Sequence, residues 1–402
     1  MLEVADVFRH HSAAYLRDHA DRVNRDQRRV IGALEACRTA ALGGHVEECG
    51  DCGQVQIAYN SCRNRHCPKC QGAAARRWLE ERRAELLDAP YFHVVFTLPA
   101  TIAEIAFYNK AVVYGLLMRT VTDTLKTIAA DTRHLGAEIG GITVLHTWGQ
   151  TLSHHPHVHC IVPGGGLARV KPDEGGERWI ACRPGFFLPV RVLARLFRRL
   201  FLERLAKVHK VSGLVLPSTL VALKTQAGFK SYLEPVARMD WIVYAKPPFG
   251  GPDQVLSYLS RYTHRVAIAN SRLVSCEADR IRFRYKNYRQ SGRRRFKTMT
   301  LEPTEFIRRF LQHVLPKGFR RIRHFGFFAN GHRTQKITRI RCLIQKTNDQ
   351  PEPEPNDESL AGTDRNCRDS TTSLACPYCG GIMRRVFEWK KAPRRACWPD
   401  TS

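Results

Sequence analysis

Acidic residues are scarce in this 402-residue chain: 37 Asp and Glu stand against 64 Lys and Arg, a formal charge of +27. So large an excess of cations favours a polyanionic partner, and nucleic acid is the commonest. Long apolar runs are also missing. No stretch of 18 or more apolar residues occurs, which leaves no candidate for a transmembrane helix. The opening "MLEVADVFRHHSAAYLRDHADRV" lacks the basic, then apolar, then small-residue order of an export signal. The expectation is a cytoplasmic protein with no membrane partner. Internal repeats are absent, while the hydrophobic content of 43% suits an ordinary globular protein with a sizeable core.

Cysteine is plentiful, with 14 residues, and several stand at metal-ligand spacing. In a reducing compartment this reads as zinc rather than disulfides. "CGDC" places Cys49 and Cys52, and "CPKC" places Cys67 and Cys70, as two pairs separated by fourteen residues. Two such loops can complete a tetrahedral site and hold together a segment too small for its own core. Cys37, His45, Cys62 and His66 could form a second zinc site. Arg63, Arg65 and Lys69 are interleaved with these ligands and suggest a nucleic-acid role, although a solvated basic face would look the same. In the tail, "CPYC" (Cys376 to Cys379) has no obvious second pair, with Cys367 and Cys397 within reach.

Helices and strands mix without strict βαβ alternation, which predicts an α+β fold with an antiparallel sheet. Residues 1–90 are expected to form a helical and zinc-binding module, and 91–340 a larger domain. Within the latter, "YFHVVFTLP", "ITVLHTW", "HVHCIV" and "WIVYA" read as strands. Residues 101–135 and "PVRVLARLFRRLFLERLAKV" read as helices. "RIRFRY" and "FKTMTL" alternate with period two and predict a hairpin with a basic tip. The Pro-rich, acidic residues 341–373 are expected to be a linker, followed by a short Cys-containing tail at 374–402.

"SHHPHVHCIV" (Ser153 to Val162) holds four histidines. On a strand, residues i and i+2 share a face, so His157 and His159 project together while Val158 and Cys160 turn to the packed side. Two imidazoles on a rigid strand form half of a divalent-metal site. Gln150, His154 and His155 are candidate third ligands, and the amide oxygen of Gln150 suits Mg²⁺ or Mn²⁺. An HxH pair alone is a weak signal, since most such pairs are structural or lie on the surface. Tyr258 and Tyr262, in "YLSRYTHR", are four apart and share one face of an expected helix; Arg261, His264 and Arg265 add charge around them.

Taken in order, "YNSCRNRHCPKCQ", "VVFTLP", "HTWGQTLSHHPHVHCIVPGGG" and "AKPPFGGPDQVLSYLSRYTHRVAIANSRL" carry a family likeness. Over roughly Val23 to Arg333 the chain resembles the rolling-circle insertion-sequence transposases of the HUH class, including their common-region relatives. The resemblance implies an antiparallel sheet flanked by helices, with a divalent ion on His157 and His159. It also implies that a tyrosine of the helix attacks a DNA phosphate and becomes joined to the 5′ end; Tyr258 and Tyr262 match the Tyr-x-x-x-Tyr pattern of two-tyrosine members, while one-tyrosine relatives also exist. The partner would then be single-stranded DNA at the ends of the element and at its target, gripped along its backbone. Between Arg280 and Lys297 nine Lys or Arg are interleaved with Tyr285, Tyr288 and Phe296. The proposed contacts are Arg261, Arg265, Arg284, Lys286, Arg289, Arg293, Arg294 and Arg295. A plasmid replication initiator or relaxase is the enzymatic alternative; a non-catalytic zinc-dependent DNA-binding protein is the alternative from another class.

Overall fold

The computed structural model describes residues 2–169, 176–249, 263–329, 331, 333–348 and 375–390. The helices among them are α1 (Val4–Asp18), α2 (Arg25–Glu35), α3 (Pro68–Arg83), α4 (Ala100–Tyr108), α5 (Lys110–Ala130), α6 (Val190–Lys210), α7 (Gln226–Arg238), α8 (Pro303–Leu311) and α9 (Arg333–Asn348). The strands are β1 (Gly43–Cys49), β2 (Val55–Tyr59), β3 (Tyr91–Thr97), β4 (Gly141–Trp148), β5 (His154–Pro163), β6 (Gly165–Arg169), β7 (Glu177–Ala181), β8 (Val243–Phe249), β9 (Leu273–Cys276), β10 (Ile281–Lys286), β11 (Phe296–Leu301), β12 (Ile322–Phe325) and β13 (Met383–Lys390). The fold is α+β, and no described helix is long and apolar enough to cross a membrane.

The largest sheet has strand order β12-β4-β5-β3-β8, with every neighbouring pair antiparallel. Strand alternation divides its side chains into two layers. On one face Phe92, Val94, Phe96, Leu145, Val158, Cys160 and Val162 join a core supplied by α4, α5, α6 and α7. The expected packing of Val158 and Cys160 is therefore seen: both are fully buried. The opposite face carries Tyr91, Ile142, Val144 and Ile161, covered by Trp78 and Leu79 of α3, and then the histidines. The helix expected over 101–135 is two helices, because the Asn109 side chain caps backbone groups at Ile105 and Val215.

The N-terminal helices do not form a core by themselves. Phe8 of α1 packs edge-on against Phe310 of α8 at 5.1 Å, and both are buried with Val30, Ile31 and Leu34 of α2 and Ile281 and Phe283 of β10. Each such aromatic contributes about 1.5–3 kcal/mol on burial. The expected division at residue 90 thus cuts across a shared core: α1 and α2 rest on the β9–β10–β11 sheet. Helix α9 continues to Asn348, past the expected linker start at 341.

A second departure concerns the tail. β1 pairs on one side with β2 and on the other with β13, from Gly43↔Lys390 to Cys49↔Met383. The alternation in "VQIAY" marks β2, but nothing local could reveal a partner strand for β1 so far along the chain.

Candidate metal centres and nucleic-acid surface

Register between β4 and β5 places His146 directly opposite His157, with His159 two residues further on the same face. Ligand nitrogens of these three side chains lie within 4.8 Å of one another. His157 donates from Nδ1 to the backbone oxygen of His155 at 2.7 Å. His159 is hydrogen-bonded through Nδ1 to Nε2 of His93 at 2.8 Å, with the two rings stacked. In both cases the hydrogen bond engages Nδ1, so a metal would be taken by Nε2, the usual division of labour when a second group fixes the ring of a metal-binding histidine. His146 stacks on Trp148 at 4.6 Å. Burial pushes the pKa of His157 down to about 4 and that of His93 to about 3, and lowers that of His159 well below the ordinary imidazole value. Neutral imidazole is the ligand form, so the donor set fits a divalent cation.

Gln150, expected as third ligand, sits elsewhere. Its side-chain oxygen accepts from the Lys286 backbone at 3.3 Å, its amide donates to the Tyr288 hydroxyl at 3.4 Å, and its backbone oxygen accepts from Arg272. It braces the β10–β11 hairpin. The side chain brought beside the pair is that of His146, a residue that no motif singles out although it stands in the strand "VLHTW". His154 is turned to the other face, hydrogen-bonded to the Tyr114 hydroxyl at 2.7 Å. His155 is exposed. The Gly164–Gly166 run serves packing rather than ligand approach: a Cβ at Gly165 would enter the Trp179 ring.

Tyr258, Tyr262 and Arg261 lie outside the described residues. The residues that follow are informative. His264 lies against Trp78 at 5.8 Å, on the histidine-bearing side of the sheet. The Arg265 backbone oxygen accepts from Arg321. The charge of Arg265 adds to the disfavouring of protonation at both His157 and His159. On the other side of the undescribed stretch, β8 sets Lys246 opposite His93.

The basic hairpin follows the expected alternation. Ile281 and Phe283 enter the core, while Arg284, Arg289, Arg293 and Arg294 are exposed. Lys286 and Arg295 lie over the ring of Phe296 at 5.2 and 5.6 Å. Tyr288 is 73% and Phe296 56% exposed, so cations and exposed aromatic rings alternate along one rim. Near the zinc module, Arg65 instead holds backbone oxygens of Leu315, Pro316 and Phe319, and Lys69 pairs with Glu3 at 2.6 Å. Arg63 remains, lining a cleft with Arg29, His66 and Lys317.

The cysteines assemble differently from their expected grouping. Cys67 and Cys70 join Cys37 and Cys62, with Sγ–Sγ separations of 3.5 to 3.7 Å, whereas Cys49 and Cys52 meet Cys376 and Cys379. The set Cys49, Cys52, Cys67 and Cys70 is not brought together, because β1 and β2 carry the first pair away from α3, whose first turn holds the second. Nor do His45 and His66 complete a Cys₂His₂ site. His45 pairs with Glu47 at 2.9 Å, two residues along the same strand face. No thiol among the described residues is in a disulfide.

The described residues thus combine a five-stranded antiparallel sheet, a histidine triad that could hold a metal, a basic hairpin and clustered thiols, and comparison with known proteins gives the class. Residues 140–336 match the family described as "Putative transposase", and residues 7–98 match the "Transposase zinc-binding domain" of the IS91 type. The chain is 55% identical to "Putative transposase y4qJ" of Sinorhizobium fredii, over all of this chain and 98% of that protein. It is 30% identical, over 88% of this chain and 82% of the relative, to "Transposase for insertion sequence element IS801" of Pseudomonas savastanoi pv. phaseolicola. No solved structure matches at a significant level. The chain belongs to the IS91 family of insertion-sequence transposases, with DNA as partner and a zinc-binding domain at its N-terminal side.

Proposed function

We propose that this transposase nicks single-stranded DNA at the ends of its element and transfers the strand through a 5′-phosphotyrosine. The observation that carries the reading is the triad of His146, His157 and His159, with Arg265, three residues after Tyr262, close enough to bias its charge. A divalent ion held by the three imidazoles would polarise the scissile phosphate and stabilise charge developing on it. Tyr258 or Tyr262 supplies the nucleophilic oxygen; phenol is weak at neutral pH, with a reference pKa of about 10. Attack forms the tyrosine–phosphorus bond and releases a 3′-hydroxyl. That hydroxyl can later displace the tyrosine and rejoin strands without ATP. Two tyrosines permit two successive transfers. His93 positions His159, and His155 fixes His157 through its carbonyl. Arg284, Lys286, Arg289, Arg293, Arg294 and Arg295, with Tyr288 and Phe296, grip the strand by phosphate contact and stacking. Residues 1–90 recognise the element end on a scaffold in which Cys37, Cys62, Cys67 and Cys70 hold a structural zinc.

The test is incubation of the full chain with single-stranded DNA carrying the element end. A covalent protein–DNA adduct requiring Mg²⁺ or Mn²⁺ is expected. A protein that binds this DNA but forms no adduct with either ion is the non-catalytic alternative and refutes the proposal. An all-imidazole triad suits Mn²⁺ better than Mg²⁺, which prefers oxygen. Half-maximal adduct formation should therefore need roughly tenfold less Mn²⁺ than Mg²⁺; equal requirements would count against His146 as a ligand.

Binding should also weaken with salt. Each phosphate neutralised on a single strand contributes about 0.7 to the slope of log affinity against log salt. Replacing Arg284, Arg289, Arg293 and Arg294 by alanine should flatten that slope by about 0.7 for each phosphate no longer neutralised. A slope unchanged in the quadruple variant would place the grip elsewhere.

A further inference from the structure

We infer that Cys49, Cys52, Cys376 and Cys379 hold a second structural zinc, which staples the C-terminal tail to the N-terminal sheet. Two of these four ligands lie beyond both matched family regions, which end at residues 98 and 336. The four Sγ atoms lie within 4.8 Å of one another. Cys49 meets Cys379 at 3.5 Å and Cys52 meets Cys376 at 3.7 Å. Zinc–sulfur bonds of about 2.3 Å at tetrahedral angles require sulfurs about 3.8 Å apart. A disulfide would need about 2.05 Å.

The two loops are built alike. "CGDCG" and "CPYCG" each reverse through a Gly with positive φ, Gly53 at 65° and Gly380 at 78°. Gly53 donates to the Cys49 oxygen, Gly380 donates to the Cys376 oxygen, and Gly381 donates to Cys379 Sγ at 3.4 Å. The loops also interlock: Gly50 donates to the Ile382 oxygen, and Asp51 fills the space a Cβ on Gly381 would need.

Packing alone does not account for this closure. The buried apolar cluster at this site is two of the four thiols, Cys49 and Cys376, with Met383. Val55, Ile57, Val386 and Phe387, on the strands flanking β1, are all more than half exposed. A core so small needs a metal or another crosslink. The tail is then the third strand of the N-terminal module rather than an appendage of the catalytic domain.

This inference is independent of the nicking reading. The full chain, purified under reducing conditions with zinc, should release two zinc ions when its thiols are titrated with a mercurial reagent, which leaves any ion on the histidine triad uncounted. The Cys376→Ser, Cys379→Ser double variant should release one, and limited proteolysis should cut its tail about tenfold faster, since cleavage follows the open population. Replacing both zinc ions with Co²⁺ gives a second readout: the thiolate-to-cobalt absorption should fall by about half in the double variant. An unchanged zinc count in the double variant overturns the inference. So does a single zinc in the parent chain that survives the double substitution, an outcome that leaves the Cys37, Cys62, Cys67 and Cys70 site standing.

Discussion

Alanine at His146 will abolish metal-dependent adduct formation as completely as phenylalanine at both Tyr258 and Tyr262, a fall of at least about 10³-fold, or roughly 4 kcal/mol in barrier. The expectation follows from strand register. His146 and His157 are cross-strand partners, and His159 is two residues along the same face, so removing any one leaves a two-imidazole site. DNA binding should change little, because the basic hairpin is built from other residues. His146 is 2% exposed, so alanine also leaves a small cavity. His146→Gln, which fills the volume with a poorer ligand, separates loss of metal from loss of packing. Gln150→Ala serves as the contrast: it should loosen the hairpin and weaken DNA binding severalfold while sparing the metal requirement. Adduct yield at saturating Mn²⁺ decides the matter. Near-normal yield in His146→Ala, with loss in Gln150→Ala, would restore the amide as third ligand.

Serine at Cys67, or removal of zinc by a strong chelator, will unfold more than the zinc site. Cys37, Cys67 and Cys70 lie in one buried cluster with Phe8, Ile31, Phe283, Phe306 and Phe310. Cys67 also caps α3 immediately before Pro68 at its first position. A metal on these thiols would therefore anchor α1, α2, α3 and the floor of the hairpin together. Structural zinc carries an apparent 10–16 kcal/mol in small zinc domains. Even a third of that would lower thermal stability by about 4 kcal/mol, a large share of the total for a typical domain. Thermal melts with zinc restored or withheld test this, alongside DNA affinity, which should fall with the hairpin. An unchanged melt after verified zinc removal would reduce these thiols to ordinary core residues.

What the sequence made legible was local and periodic. Period-two alternation put His157 with His159 and sent Val158 and Cys160 into the core, and the β10–β11 hairpin followed the same rule. Spacing marked each CxxC loop as a pair of converging thiols. Pairing between distant segments carries no such mark. His146 meets His157 only through the β4–β5 register, and two residues either way would have put another side chain there. Likewise, CxxC spacing shows that two thiols converge but not which second loop meets them; the partner of "CGDC" turned out to be "CPYC" rather than the nearer "CPKC".

The pairing of β1 with β13 also has a consequence in time. Translation proceeds at about 5–20 residues per second, and Cys49 precedes Cys379 by 330 positions. The first sheet thus waits tens of seconds, with one edge of β1 and two thiols uncovered, until the tail leaves the ribosome. A chain broken off before β13 is made cannot close that sheet, so the N-terminal module matures only in molecules whose synthesis has reached the tail.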